Sequence, residues 1–241
     1  MRWGAPVSLV VTVYVPSGIV MAADSRITAQ RNEERAEGER KVLVQQALVL
    51  SDNAYKVVAL RSIGAGVSVY DAAMINNQPA DSHVHRFEEE ALAEGDDVIR
   101  AAEKLLAYFR DNFPGVPIGF HMAGYRQEER VRVPYVFGGH TRQEGPPKRL
   151  NVDAKGNVGF GIARSGDLLV VNRLIDQNLM PRFDAMPLQD AVDYAVHLIR
   201  TTIDTMRFEP RFPSVGGAID VLVITPDGMQ WVQRKELRGS G

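Results

Sequence analysis

Apolar and polar positions along the chain group into short runs rich in β-branched residues, separated by turn signals, with two longer stretches at helical period. Ser8 to Val15 and Gly18 to Ala23 are apolar runs flanking Pro16-Ser17-Gly18, and they predict a β-hairpin. Val42 to Leu50 reads as a strand, Ser51-Asp52-Asn53 as a turn, and Tyr55 to Leu60 as a second strand. From Asp96-Asp97, the apolar positions Val98, Ala101, Ala102, Leu105, Leu106 and Phe109 recur at helical spacing, closed by Asn112, Pro114 and Gly115. Strand patterns return at Ile118 to Tyr125 and Val131 to Gly138. A further hairpin is predicted from Arg149 to Asp153 and Val158 to Ala163, across Lys155-Gly156-Asn157. Pro187 to Met206 is the strongest helical pattern, with Ala191, Tyr194, Ala195, Leu198, Ile199 and Thr202 on one face. Gly216 to Ile224, the turn Pro226-Asp227-Gly228 and Met229 to Val232 predict a closing hairpin. Hairpins outnumber strand–helix–strand crossovers, so the pattern predicts an α+β fold of antiparallel sheets with helices on their outer faces.

The 241 residues fit one domain or at most two small ones, and an apolar share of 45% suffices for a sizeable core. A formal net charge of -2 gives no reason to expect nucleic acid or an anionic membrane as partner. The chain has no cysteine, which excludes disulfides, thiolate metal sites and a cysteine nucleophile, and suits a cytoplasmic protein. Arg2 with the apolar run Ala5 to Val15 resembles a secretory signal only superficially, because Pro16-Ser17-Gly18 interrupts it. No run reaches the ~18–20 apolar residues that span a bilayer. Residues 31–41 are charged at eight of eleven positions, which predicts a solvated loop or hairpin tip.

The second strand of the opening hairpin delivers Asp24 and Arg26, two residues apart and therefore on one face of an extended chain. Burying such charges is costly unless they have partners. Gly18-Ile19-Val20-Met21-Ala22-Ala23-Asp24-Ser25-Arg26 resembles the opening signature of proteasome β-type subunits and their bacterial relatives, which are N-terminal-nucleophile (Ntn) hydrolases. The resemblance implies a four-layer αββα sandwich over nearly the whole chain, with 1–7 a short propeptide and 8–241 a single domain. It also implies an inserted hairpin within 28–50, and a first long helix running on from Val67 to Ile75 that breaks near Pro79 and Asp81.

In that family the first residue of the mature chain is the nucleophile and its own α-amino group is the base. An α-amine, with a pKa near ~8, accepts a hydroxyl proton near neutrality. Counting back from the Asp-Ser-Arg motif places the nucleophile at Ser8, which becomes N-terminal when Val7–Ser8 is cut. The resemblance further implies Lys56 as the catalytic lysine facing Asp24, with Lys41 as the alternative. Arg26 would be a structural partner of Asp24, and Ser165, followed by Gly166, would orient the amine. Asp204 would be the second aspartate, and Ser214-Val215-Gly216-Gly217 would stand for a Ser-Gly-Gly element.

The implied activity is hydrolysis of peptides or unfolded protein, without cofactor, in a homo-oligomeric ring whose chamber keeps folded proteins out. The competing expectation is a non-catalytic, unprocessed structural subunit that keeps Asp24 and Lys56 as scaffold. His83 and His85 read as a polar loop, since no third ligand stands at metal-site spacing. Gly64-Ala65-Gly66 and Gly138-Gly139-His140 do not open a helix after a strand, as a phosphate loop requires.

Overall fold

The computed structural model describes residues 8–37, 40–175 and 180–237, with backbone only for 30–46. The expected propeptide, residues 1–7, lies outside the described residues. In chain order the elements are β1 (Leu9–Val15), β2 (Gly18–Ala23), β3 (Ile27–Glu37), β4 (Arg40–Ser51), β5 (Val57–Leu60), β6 (Ala65–Tyr70), β7 (Met74–Ile75) and β8 (Gln78–Pro79). Then come α1 (Ala80–Glu90), α2 (Val98–Asn112), β9 (Gly119–Glu128), β10 (Val131–His140), β11 (Lys148–Arg149), β12 (Gly161–Gly166) and α3 (Leu169–Leu174). The chain closes with α4 (Leu188–Met206), β13 (Asp220–Thr225) and β14 (Gly228–Gln233).

Two five-stranded antiparallel sheets form the centre, in the orders β12-β1-β2-β13-β14 and β11-β10-β9-β6-β5. Between them Val10, Tyr14, Ile19, Met21 and Leu222 of the first sheet meet Val57, Ala123 and Val136 of the second. On the outer face of the first sheet, Leu9, Val11, Val13 and Val20 pack against Val171 of α3 and Ala195, Leu198 and Ile199 of α4. On the outer face of the second, Val67, Val69 and Phe120 pack against Val84 and Phe87 of α1 and Leu105 and Phe109 of α2. This is a four-layer αββα sandwich. Strands covered on both faces explain why β1 and β2 are apolar without interruption: every residue of both is buried. α2 begins where Asp97 caps it, its carboxylate accepting from the amides of Ile99 and Arg100. Among the described residues no helix is long and apolar enough to cross a membrane.

Three local expectations are corrected. Val67 to Ile75 does not run into a helix. Val67 and Val69 belong to β6, and the chain then turns through Asn76 and Asn77, both at positive φ, as β7 and β8 pair. Pro79 does not break α1 but precedes it, where the missing N–H costs nothing. The hairpin expected over 149–163 shrinks to one bridge, Val152 with Val158, because the chain is crossing between sheets there. β11 pairs with β10, whereas β12 pairs with β1. The charged run 31–41 falls on the β3–β4 hairpin, which pairs from Ile27–Ser51 to Glu37–Arg40, in line with the hairpin expected within 28–50.

β12 ends at Gly166, whose φ is +98°. A Cβ there would lie 1.9 Å from the Ser8 carbonyl oxygen. Replacing Gly166 by Ala therefore combines backbone strain with a clash against main chain. The expected loss is at least ~2 kcal/mol, a fall in Tm of at least ~4 °C for a chain of this size. An unchanged thermal melt would contradict the close approach of Gly166 to Ser8.

Candidate active site

β1 and β2 pair in register, Val10 opposite Ala23, so Asp24 emerges beside Leu9 and the residue before it, Ser8. The Asp24 amide donates to the Leu9 carbonyl at 3.3 Å, and the Leu9 amide donates to Asp24 Oδ1 at 2.9 Å. Lys56 Nζ donates to the same oxygen at 2.8 Å. The amides of Arg26 and Gly216 donate to Oδ2 at 3.1 and 3.0 Å. One carboxylate thus joins the starts of β1 and β5, the end of β2 and the loop before β13. Lys56 and Asp24 are 2% and 1% exposed, so the ion pair is dry.

Burial pushes the Lys56 ammonium below the ordinary lysine value; Asp24 opposes that, and the cations of Lys235 and Arg26 add to it. The lysine that reaches Asp24 is Lys56, while the side chain of Lys41 lies outside the described residues. Arg26 is not a side-chain partner of Asp24, a correction to the same-face reading. β2 stops at Ala23, so the two-residue strand period no longer holds at Arg26. Its guanidinium instead grips Asp52 through two bonds of 2.7 and 2.9 Å and holds the Asp52 carboxyl below its usual range.

Ser8, 1% exposed, is held from the other side by β12: the amide of Asp167 donates to the Ser8 carbonyl at 2.7 Å. Asp167 went unnoticed in the sequence. It follows Gly166 directly, and its carboxylate accepts from Ser214 Oγ at 2.6 Å and pairs with Arg211. The structure does not bring Asp204 to this cluster, because Asp204 sits on the exposed face of α4. Ser165 is adjacent in sequence, yet its hydroxyl turns between the sheets, 3.0 Å from Nε2 of His121. The His121 Nδ1 lies 3.1 Å from Thr12 Oγ1. His121 was also missed, since its partners come from strands far apart in sequence. His83 is buried with Nε2 at 3.1 Å from the Ile75 carbonyl. Among the described residues no group of three or more His, Asp or Glu side chains gathers as a metal site would.

No protein-family model matches the chain, and no curated protein does. Among solved structures, an Anbu (Gly-1) mutant from Hyphomicrobium sp. strain MC1 superposes with a TM-score of 0.61 at 18% identity, covering 95% of this chain and 86% of that one. Anbu has a proteasome-like Ntn fold, and this chain shares that fold. The assignment to proteasome β-type subunits drawn from the Asp24 motif is corrected accordingly. No family model supports it, and the likeness found is a distant one to Anbu, at an identity that establishes the fold alone.

Replacing Lys56 by Ala leaves the Asp24 charge buried without its cation. The expected cost is ~3–5 kcal/mol, read as a fall of ~6–20 °C in Tm. An unchanged melting curve would show the pair to be wet or absent. His121 gives a pH dependence of definite sign. Burial lowers its pKa from 6.5 to about 4, so the unfolded chain binds the proton first as pH falls. Stability is therefore full above pH 6.5 and declines towards pH 4, by up to ~3 kcal/mol. Denaturant titrations of His121→Gln should lack that component of the decline, and equal declines in both proteins would contradict the burial of a neutral imidazole.

Proposed function

We propose that the chain is an N-terminal-nucleophile hydrolase of amide bonds, acting on peptides or unfolded protein through Ser8 once residues 1–7 are removed. The observation that carries this reading is the dry Asp24–Lys56 pair, tied to the Leu9 amide one residue beyond Ser8. In the uncut chain the Ser8 nitrogen is an amide and cannot take a proton at neutral pH. Cutting Val7–Ser8 creates an α-amine beside the hydroxyl, with an ordinary pKa of ~7.7–8.0. The Ser8 Oγ–H proton passes to that amine as Oγ attacks the substrate carbonyl. The leaving amine takes the proton back, an acyl ester remains on Ser8, and water hydrolyses it with the amine again as base. The Lys56 charge lowers the proton affinity of both amine and hydroxyl, while Asp24 holds Lys56 in place and keeps its charge buried without solvent. The Asp167 amide secures the Ser8 carbonyl, so the backbone of the nucleophile is fixed from the β12 side before substrate arrives.

We further infer a homo-oligomeric ring, since a peptidase with so open a chemistry requires a chamber to exclude folded proteins. Sedimentation should give a mass several times 26.7 kDa, and a monomer mass would overturn the ring.

A chain beginning at Ser8 should cleave a broad peptide set, while the full-length chain stays at least ~100-fold slower. Ser8→Ala in the shortened chain should abolish turnover and Ser8→Thr should retain it. Equal peptidase rates from the full-length chain and its Ser8→Ala variant would refute the mechanism. Inactivity of every shortened form would favour the unprocessed structural subunit.

A further inference from the structure

The space between the two sheets is apolar along β2 and β13, but one polar file crosses it near β12. On β6, Ser68 lies opposite His121 of β9, and adjacent residues in register share a face. His121 contacts Thr12 of β1 through Nδ1 and Ser165 of β12 through Nε2. Tyr70 borders the same cleft as Ser165, its ring 5.8 Å from that of His121. Ser68, Thr12 and His121 are 0%, 0% and 2% exposed, and the Ser68 hydroxyl has no partner among the described residues. Five polar side chains in an otherwise dry interface are expensive, and the Ser8 mechanism uses none of them. Ser165 opens onto a cleft of about 530 Å³ bordered by Tyr14, Tyr70, His121, Lys148 and Arg164.

We propose that Ser165 is a second nucleophile, independent of Ser8, with His121 as its base and a cleft that accepts carboxylic esters bearing an anionic group. The reactive tautomer carries its proton on Nδ1, which donates to Thr12 Oγ1 and leaves Nε2 to accept from Ser165 Oγ. Burial keeps this imidazole neutral at pH 7, with a pKa of about 4. Ser165 Oγ bonds to the acyl carbon as its proton moves to Nε2. The ester C–O bond then breaks, and the alcohol leaves with that proton. Water, deprotonated by His121, cleaves the acyl–Ser165 ester and releases the acid. Burial raises the Tyr70 pKa, so its hydroxyl stays protonated and donates to the developing oxyanion. The described lining contains two cations, Lys148 and Arg164, and no carboxylate, which suits an anionic substrate end.

The test uses the full-length chain, in which Ser8 has no free amine, so its outcome does not depend on the Ser8 reading. A fluorophosphonate probe is added; Ser165 Oγ attacks phosphorus, fluoride leaves, and the adduct is mapped by peptide mass spectrometry. Hydrolysis of a p-nitrophenyl monoester of succinate is measured beside the uncharged p-nitrophenyl butyrate. The expected adduct is on Ser165, retained in Ser8→Ala and lost in Ser165→Ala. His121→Gln should slow adduct formation and ester hydrolysis at least ~100-fold. Thr12→Val supplies the same comparison if His121→Gln fails to fold, and should slow both at least ~10-fold with the melt retained. Lys148→Ala should raise KM for the succinate monoester alone. Absence of the Ser165 adduct from the folded chain, or equal rates in wild type and the folded His121 or Thr12 variant, would overturn the proposal.

Discussion

The arrangement depends on one carboxylate buried away from solvent. Asp24 takes four donors, from Leu9, Lys56, Arg26 and Gly216, each from a different part of the fold. Removing an ion pair from water costs several kcal/mol per ion, and Coulomb attraction repays it only when the remaining lone pairs are also bonded. Here they are. The geometry tolerates little change around it. A Cβ on Gly216 would fall 2.3 Å from the Arg26 guanidinium carbon, so a larger residue there would displace Arg26 from its bonds to Asp52. Arg26 in turn holds Asp52 and the Pro213 carbonyl, which fixes the loop carrying Gly216. The cost of burying Lys56 is thus set against a shell of bonds, and the result is a cation held on the carboxylate that also bonds the Leu9 amide, one residue beyond Ser8.

The hairpin that presents Asp24 was legible because β1 and β2 are covered on both faces and have to be apolar throughout. α2 and α4 were legible for the complementary reason, a buried stripe at helical period. Asp204 was misplaced although the same period was informative. It stands two residues from Thr202 and two from Met206, both buried, so a helix turns it roughly 200° away from that face, towards solvent. Arg26 was misread because a strand rule was carried past the strand's end. Asp167 and His121 could not be read locally. Their roles come from register, with β12 beside β1 and β9 beneath it, and the partners named above stand 44 to 159 residues away. The motif around Asp24 carried the fold correctly and the family too narrowly, because a short hairpin constrains packing far more than it constrains descent.

Ser8 and Ser165 lie close together yet in different electrostatic settings. Ser8 precedes the Leu9 amide that bonds the same Asp24 oxygen as Lys56, and in the proposed mechanism it depends on an amine that only chain cleavage creates. Ser165 faces a neutral imidazole and a protonated tyrosine in the cleft, with Lys148 and Arg164 at its border. β12 connects the two: Gly166 approaches the Ser8 carbonyl closely, Asp167 bonds it, and Ser165 turns the other way. A single strand end therefore supports both corners, and disturbance at Gly166 should be felt at each.

The central claim is that Lys56 tunes an amine at Ser8. Its most direct test is the titration of that α-amine in a chain starting at Ser8, followed by NMR with ¹⁵N label in serine. In the wild-type sequence the amine should titrate below the ordinary ~7.7–8.0, because the Lys56 cation disfavours a second positive charge. In Lys56→Met, with Asp24 left as the nearest charge, it should rise above that range. An amine that titrates at its ordinary value in both proteins would contradict the account.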